Sequence, residues 1–295
     1  MLLISGSGPT DRDGNSTLLQ GRVDSQKNFA RVLADAGIAS LRYDKYGTGK
    51  TGLGSFASHP ADLTFDDYVS TALSGFAYLG SRPEVDRSKL GVLGHSEGGL
   101  IALLVAEQAK TPPAALLLMA PLSKPYLDTI RDQYTALFEN QVAAGMMVQT
   151  DADKSLAELN QIIVQVVKDG TTPVHMSQQW NVLFSPVNLK FLQTAAHYDP
   201  AKIAVTLSKT LNVLMLCGQK DSQVPCADVQ LVMNGFVTGG NTTAQFFQLE
   251  NVDHVFRVIT GTPDPNTDYT DPNKPFSSEA AQHITDFVKN ALLGP

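Results

Sequence analysis

Short apolar runs alternate with amphipathic stretches along most of this chain. The runs at residues 2–4, 38–43, 90–93, 114–119, 213–217 and 246–249 are the length of strands and carry few polar positions, as strands covered on both faces of a mainly parallel sheet do. Between them, residues 26–36, 65–79, 100–109, 227–236 and 279–292 place apolar side chains at helical intervals, the pattern of helices packed on such a sheet. The class is therefore α/β. The rhythm breaks after Pro121: residues 126–140, 154–168, 176–184 and 189–197 read as helices with no strand between them. A stretch of that length is too long for a simple connection and should form a substructure of its own. The expected organisation is a catalytic core of residues 1–121 and 209–295, with residues 122–208 as a helical cap insertion.

Composition narrows the class of function. At 295 residues and 43% hydrophobic, the chain can bury one large core. Its net charge of -7 and the absence of any concentrated Lys/Arg stretch argue against a nucleic-acid partner. No apolar run is long enough for a membrane span or a signal peptide, so a cytoplasmic location with no membrane partner is expected. The two cysteines, Cys217 and Cys226, are too few for a disulfide framework and lack zinc-site spacing. Both are free thiols, or they close one small loop. The chain starts inside a strand: either an upstream part is missing or the domain is short at this end.

Chemistry is concentrated around Gly94-His95-Ser96-Glu97-Gly98-Gly99, between an apparent strand and a helix beginning near Leu100. A serine at a sharp strand-to-helix turn needs unusual backbone angles, and glycines two residues before and after it remove the Cβ atoms that would collide. A serine hydroxyl also needs an imidazole base, itself held by a carboxylate, and in this arrangement the three follow in the order Ser, acid, His. Asp221 lies just past the strand at 213–217, and His254 just past the one at 246–249. Ser96, Asp221 and His254 are thus the candidate triad. Asp228 and Asp253 compete as the acid, but the first falls in the next helix and the second adjoins His254. The other five histidines, His59, His95, His175, His197 and His283, read as surface or packing residues. Acyl transfer needs two oxyanion donors: the Glu97 N–H is one, and the Ser7 N–H, in the small-residue turn Ser5-Gly6-Ser7-Gly8-Pro9, is the candidate for the second. The alternative is that this segment is merely a tight turn.

These motifs carry a resemblance. Gly6-Ser7-Gly8-Pro9-Thr10-Asp11-Arg12-Asp13-Gly14-Asn15, Leu41-Arg42-Tyr43-Asp44-Lys45-Tyr46-Gly47-Thr48-Gly49 and the Ser96 motif together resemble bacterial α/β-hydrolase esterases related to dienelactone hydrolases and acylaminoacyl-peptidase-like enzymes. The resemblance covers nearly the whole chain outside residues 121–208. It implies an α/β-hydrolase fold, carboxylesterase activity on short acyl chains, no cofactor and the triad assigned above. Two departures stand out: the N-terminal strands usual in that family are absent ahead of Gly6, and the arginine often found after Asp44-Lys45 is Tyr46 here. With those strands absent, residues 38–43 become a sheet edge that needs a cover or a pair, for which a homodimer is one candidate.

Two rival classes can be weighed. Gly47, Gly49 and Gly52 fit a dinucleotide-binding G-x-G-x-x-G, and Gly49-Lys50-Thr51 imitates the end of a phosphate loop, but Asp44 occupies the first glycine position of such a loop. No helix pattern follows at once, as a dinucleotide site requires. A binding protein on a hydrolase scaffold would have lost a triad member, and none is lost. Asp11–Asn15 lacks the closing glutamate of a calcium loop, since the twelfth position is Arg22; its charges should instead tie down the oxyanion turn, and no metal is expected. The expected function is a serine carboxylesterase acting on short- to medium-chain small-molecule esters, with acyl-peptidase and thioesterase activity as alternatives on the same residues. Met146, Met147, Met176, Trp180, Leu183 and Phe184 in the insertion are candidates for an acyl pocket, although apolar residues at helical spacing also read as core. Residues 261–275, rich in Pro, Asp, Asn and Thr, read as an exposed loop.

Overall fold

The computed structural model describes residues 1–294, apart from the side chain of Asn266. Six parallel strands, β1 (Leu2–Ile4), β2 (Leu41–Arg42), β3 (Gly91–His95), β4 (Ala115–Met119), β5 (Asn212–Gly218) and β6 (Gln245–Leu249), form one sheet in the order β2-β1-β3-β4-β5-β6. The register pairs Leu3 with Leu93, Leu93 with Leu117, Leu117 with Leu214 and Leu214 with Gln245. β2 keeps only two paired residues of the run at 38–43 and is the sheet edge expected there.

Parallel strands need crossovers, and the helices supply them on both faces. Leu3, Leu93, Leu117, Leu214 and Leu216 share one buried cluster with Phe29 and Leu33 of α1 (Ser25–Asp35) and Ile284 and Phe287 of α10 (Ser278–Val288). The alternate positions Leu2, Val92, Leu116, Leu118 and Met215 are also fully buried and point to the opposite face. There α2 (Phe65–Ser81), α3 (Glu97–Gln108) and α8 (Cys226–Thr238) cross over, with Gly75 of α2 admitting the Leu2 side chain. Burial on both faces is why the strands read as continuous apolar runs.

The chain divides into two compact units, one of residues 1–54, 68–123 and 200–295, the other of residues 55–67 and 124–199. The boundaries differ from those expected. Residues 55–67 belong with the helical unit, where Phe65 packs edge-on against Phe191 and its N–H donates to Thr194 Oγ1. The short helix α7 (Pro200–Thr206) belongs with the sheet: Gly235 of α8 comes so close to Ala201 that a Cβ would sit 2.3 Å from its carbonyl oxygen.

The helical unit is built from α4 (Tyr126–Ala143), α5 (Gln149–Asp169) and α6 (Leu189–Ala195) around Leu159, Ile162, Val166, Trp180 and Phe184. Residues 176–184, expected as a helix, contain only a single 3₁₀ turn at Gln178–Trp180. Pro173 and Pro186 bracket that segment and deny it the backbone donors of a longer helix. It is pinned instead by the Trp180 indole N–H, which donates to Glu158 at 3.1 Å.

Cys217 and Cys226 form a disulfide, so the second of the two sequence readings holds. It closes the loop between β5 and α8. Among the described residues, no helix is long and apolar enough to cross a membrane, and no group of three metal-ligating side chains could hold an ion.

Candidate active site

In an open parallel sheet, loops leaving neighbouring strands in opposite directions open a crevice at the strands' carboxyl ends. Here that switch lies at β1, which has β2 on one side and β3 on the other. The turn after β1 carries Ser7 and the turn after β3 carries Ser96; the loops after β5 and β6 bring Asp221 and His254 to the same end of the sheet.

Ser96 has φ 54° and ψ -122°, a conformation that costs a non-glycine residue free energy. Its neighbours explain how it is held. A Cβ on Gly94 would lie 2.1 Å from the Gly98 carbonyl oxygen, and one on Gly98 would lie 2.3 Å from the Ile4 oxygen. The glycines thus let β1, β3 and α3 approach closely enough to force the turn. The Ser96 N–H donates to Met119 O at 3.1 Å, and the Ser96 carbonyl accepts from Leu122 at 2.9 Å, which fastens the strained residue to β4.

Asp221 and His254 are both buried and joined by a 2.7 Å contact between Oδ2 and Nδ1. The other carboxylate oxygen of Asp221 accepts from the Gln223 and Val224 N–H groups at 2.8 and 2.9 Å. Burial alone would lower the imidazole pKa, but the charge and hydrogen bond of Asp221, with a further contribution from Asp253, outweigh it and raise His254 above its ordinary value. The two loops are locked together: Lys220 N–H donates to Val252 O at 2.9 Å, and a Cβ on Gly218 would meet that same oxygen at 2.0 Å. The competing carboxylates are otherwise placed. Asp228 lies in the first turn of α8. Asp253 accepts from Val255 and Arg257 N–H groups at 3.0 and 2.8 Å, and burial pushes its pKa up to about 6.

Ser96 and His254 line one cavity of about 110 Å³ together with Gly6, Ser7 and His95. Its apolar wall is Leu19, Val23, Val255 and Tyr269. None of these four was legible as a site residue. Tyr269 lies in residues 261–275, read as an exposed loop, yet it is buried and accepts from Gln223 Nε2 at 2.8 Å. The segment is drawn inward by Arg257, whose guanidinium donates to the Asp271 and Lys274 carbonyls at 2.9 and 2.6 Å. In the sequence, the signal for this is Arg257, a cation three residues after His254.

The residues expected to form the acyl pocket belong to the helical unit. Trp180 and Phe184 are core residues of the helical unit, with Met147, Met176 and Leu183 packed against them, and Met146 is 74% exposed. Apolar residues at helical spacing are more often core than pocket, and large apolar side chains go where they bury most area.

His95, expected as a surface or packing residue, is buried and packs against Phe29, Phe256 and His254. Its Nε2 donates to the His254 carbonyl at 2.9 Å and its ring lies 4.8 Å from the His254 ring. Desolvation, reinforced by the charge on His254, lowers its pKa to about 3, so it stays neutral and acts as a fixed donor to the His254 backbone.

The rival glycine loop binds an internal anion. Asp44 accepts from the Arg12 N–H at 2.9 Å, the Arg12 side chain at 3.0 and 2.6 Å, and the Lys50 N–H at 2.9 Å. A Cβ on Gly49 would sit 2.2 Å from that carboxylate. The space a phosphate would need is filled by Asp44. No α-helix follows before Phe65. The charges of Asp11–Asn15 brace that segment itself: Asp11 Oδ1 accepts from the Asp13 and Asn15 N–H groups, both at 2.9 Å, while Arg12 ties the segment to Asp44.

The family described as serine aminopeptidase, S33, matches residues 20–176, more than half of the chain. The chain belongs to that family. Esterase EstD of Thermotoga maritima is 25% identical over 264 residues, which cover 88% of this chain and 55% of that protein. The chain spans about half the length of this curated relative. Among solved structures, a ferulic-acid complex of Est1E from Butyrivibrio proteoclasticus has a TM-score of 0.57 at 16% identity, covering 99% of this chain and 88% of that one. A malate-bound thermophilic esterase from Thermogutta terrifontis has a TM-score of 0.55 at 16% identity over 99% and 90%. These structures show the α/β-hydrolase fold.

Proposed function

We propose that this protein is a serine carboxylesterase whose acyl-enzyme forms on Ser96. The observation that carries the reading is the buried Asp221–His254 pair, 2.7 Å apart, on a cavity that His254 shares with the strained Ser96. His254 takes the Ser96 proton as the hydroxyl attacks the ester carbonyl, then gives it to the departing alcohol. Water, deprotonated by the same imidazole, clears the acyl group. Asp221 holds the tautomer that presents Nε2 to the serine, and the N–H groups of Ser7 and Glu97 receive the oxyanion.

The cavity supports a narrower substrate class than the sequence did. About 110 Å³ is well below the roughly 300–1,000 Å³ of pockets for drug-sized ligands, and corresponds to roughly four water molecules at ~30 Å³ each. That suits acetyl to butyryl groups. Among the described lining residues none is Asp, Glu, Lys or Arg. An aminopeptidase reading, which the family description favours, needs an anion for the substrate ammonium, and the lining offers none. A thioesterase reading gains no cationic lining for coenzyme A phosphates. The closer kinship with dienelactone hydrolases and acylaminoacyl-peptidase-like enzymes rests on the sequence motifs. The Cys217–Cys226 disulfide favours an oxidising compartment over the cytoplasm first expected.

A fluorophosphonate probe should label the peptide containing Ser96 and not the Ser96→Ala protein. Hydrolysis of p-nitrophenyl esters should fall from acetate to octanoate and exceed that of acyl-CoA and aminoacyl anilides. Labelling at another residue, or an anilide rate above the acetate rate, defeats the proposal.

A further inference from the structure

Lys45 is an unusual residue to find where it is. Both its side chain and that of Glu97 are 1% exposed, and the two form an ion pair at 2.7 Å. Burying such a pair is expensive unless further hydrogen bonds compensate, and on stability grounds alone apolar residues often serve as well. The Lys45 ammonium has a second acceptor, the Gly6 carbonyl at 2.6 Å, and lies over the Tyr68 ring at 5.3 Å. Tyr68 is in turn packed edge-on by Tyr46, the residue that replaces the arginine of the resembled family.

The two acceptors matter because of what each is attached to. The peptide joining Gly6 to Ser7 is trans, so its C=O and N–H point in opposite directions. Fixing the Gly6 oxygen on Lys45 therefore fixes the Ser7 N–H in the reverse direction. Gly6 is packed against the nucleophile, where a Cβ would lie 3.2 Å from Ser96 Cβ, and Ser7 and Ser96 line the same cavity. The other acceptor, the Glu97 carboxylate, belongs to the residue whose N–H follows the nucleophile at the start of α3. One ammonium thus binds the Gly6–Ser7 peptide directly and, through its side chain, the residue that carries the other proposed oxyanion donor.

We infer that Lys45 is a positioning residue for the oxyanion site, clamping the Gly6–Ser7 peptide and the Glu97 residue in one fixed relation through its paired hydrogen bonds. This rests on the proposed acyl transfer at Ser96. Without the clamp, the Gly6 carbonyl loses its 2.6 Å hydrogen bond and the Gly6–Ser7 peptide is freer to rotate and withdraw its N–H.

The test compares wild type with Lys45→Met/Glu97→Gln, which keeps side-chain volumes and leaves no lone buried charge. The readouts are kcat and KM on p-nitrophenyl acetate, and affinity for a trifluoromethyl ketone, which binds as an oxyanion adduct, against an unreactive methyl ketone of the same shape. For the folded double variant, kcat should fall about 10²- to 10³-fold, as when one oxyanion donor is lost. Trifluoromethyl ketone affinity should fall with it, while KM and methyl ketone affinity change less than about threefold. A folded variant with near-wild-type kcat, or an equal loss of affinity for both ketones, overturns the inference. If the double variant does not fold, Glu97→Gln carries the same comparison. There Lys45 keeps an amide oxygen to donate to, and a smaller but parallel fall in kcat and trifluoromethyl ketone affinity is expected; equal losses for both ketones again overturn it. Failure of the underlying reading looks different: wild type itself would then neither hydrolyse the ester nor bind the trifluoromethyl ketone.

Discussion

The two sides of the site are held by different chemistry. On the acid–base side, the loops after β5 and β6 are tied by backbone hydrogen bonds, close contact at Gly218 and the Cys217–Cys226 disulfide, which spans the loop containing Asp221. On the proposed oxyanion side, the Arg12–Asp44 ion pair ties the turn after β1 to the turn after β2, and Lys45–Glu97 ties the turn after β2 to the start of α3. Covalent and backbone links do not titrate, whereas paired carboxylates do. The closure of the Asp221 loop should therefore respond to reductant, and the Arg12–Asp44 tie to acid.

The largest effect should come from the one charge on the acid–base side that acts chemically. Asp221→Asn keeps an oxygen for the Gln223 and Val224 N–H groups but favours the wrong imidazole tautomer, so kcat on p-nitrophenyl acetate should fall about 10³- to 10⁴-fold while the melting temperature changes little. A loss below tenfold would remove Asp221 from the triad.

Replacing both cysteines by serine should cost about 2–3 kcal/mol in urea denaturation, as expected for a short loop, and should do so equally at pH 5 and pH 8. Asp44→Asn should cost about 1–2 kcal/mol at pH 7, a modest figure because the Arg12 side chain is 47% exposed. Its pH dependence is the distinguishing feature. The Arg12 side-chain hydrogen bond, assisted by the Lys50 and Arg12 N–H groups and opposed by desolvation, holds Asp44 well below its ordinary 3.8. A depressed carboxylate pKa stabilises the fold fully above about pH 4 and less as pH falls towards the folded value. Wild type should therefore lose more stability than Asp44→Asn between pH 5 and pH 2.5. Equal losses would break the contrast between the two sides.

A smaller effect is expected in the activity profile. In the proposed mechanism His254 works as a base only when neutral, and its pKa is raised above 6.5, so kcat/KM should rise with pH through a midpoint above that value. His95 should add no second inflection there, because it is already neutral. Smallest of all, millimolar ATP or NAD should leave the melting temperature unchanged within about 1 °C, since Asp44 fills the glycine loop. A clear rise would revive the nucleotide reading.

Much of this was legible in the sequence because it follows from local rules. The strand runs at 2–4, 114–119 and 213–217 are continuous because both faces of the sheet are covered, and Gly94-x-Ser96-x-Gly98 is explained by the close approaches of its neighbours. Other features were not legible because their partners are remote. The Tyr269 wall depends on Arg257 reaching carbonyls 14 and 17 residues away, and helical spacing could not tell whether Trp180 faces a substrate or its own unit's core.

What the sequence determined by itself was the α/β class, the order Ser96, Asp221, His254 along the chain, and the strained turn at the serine, all of which arise from periodicity and steric exclusion over a few residues. Tertiary structure alone decided what fills each concave surface: Asp44 in the glycine loop, Leu19, Val23, Val255 and Tyr269 around the serine, and Lys45 between Gly6 and Glu97, 39 and 52 residues away. Such placements depend on which distant groups the fold brings within hydrogen-bonding distance, and no local pattern of residues encodes that.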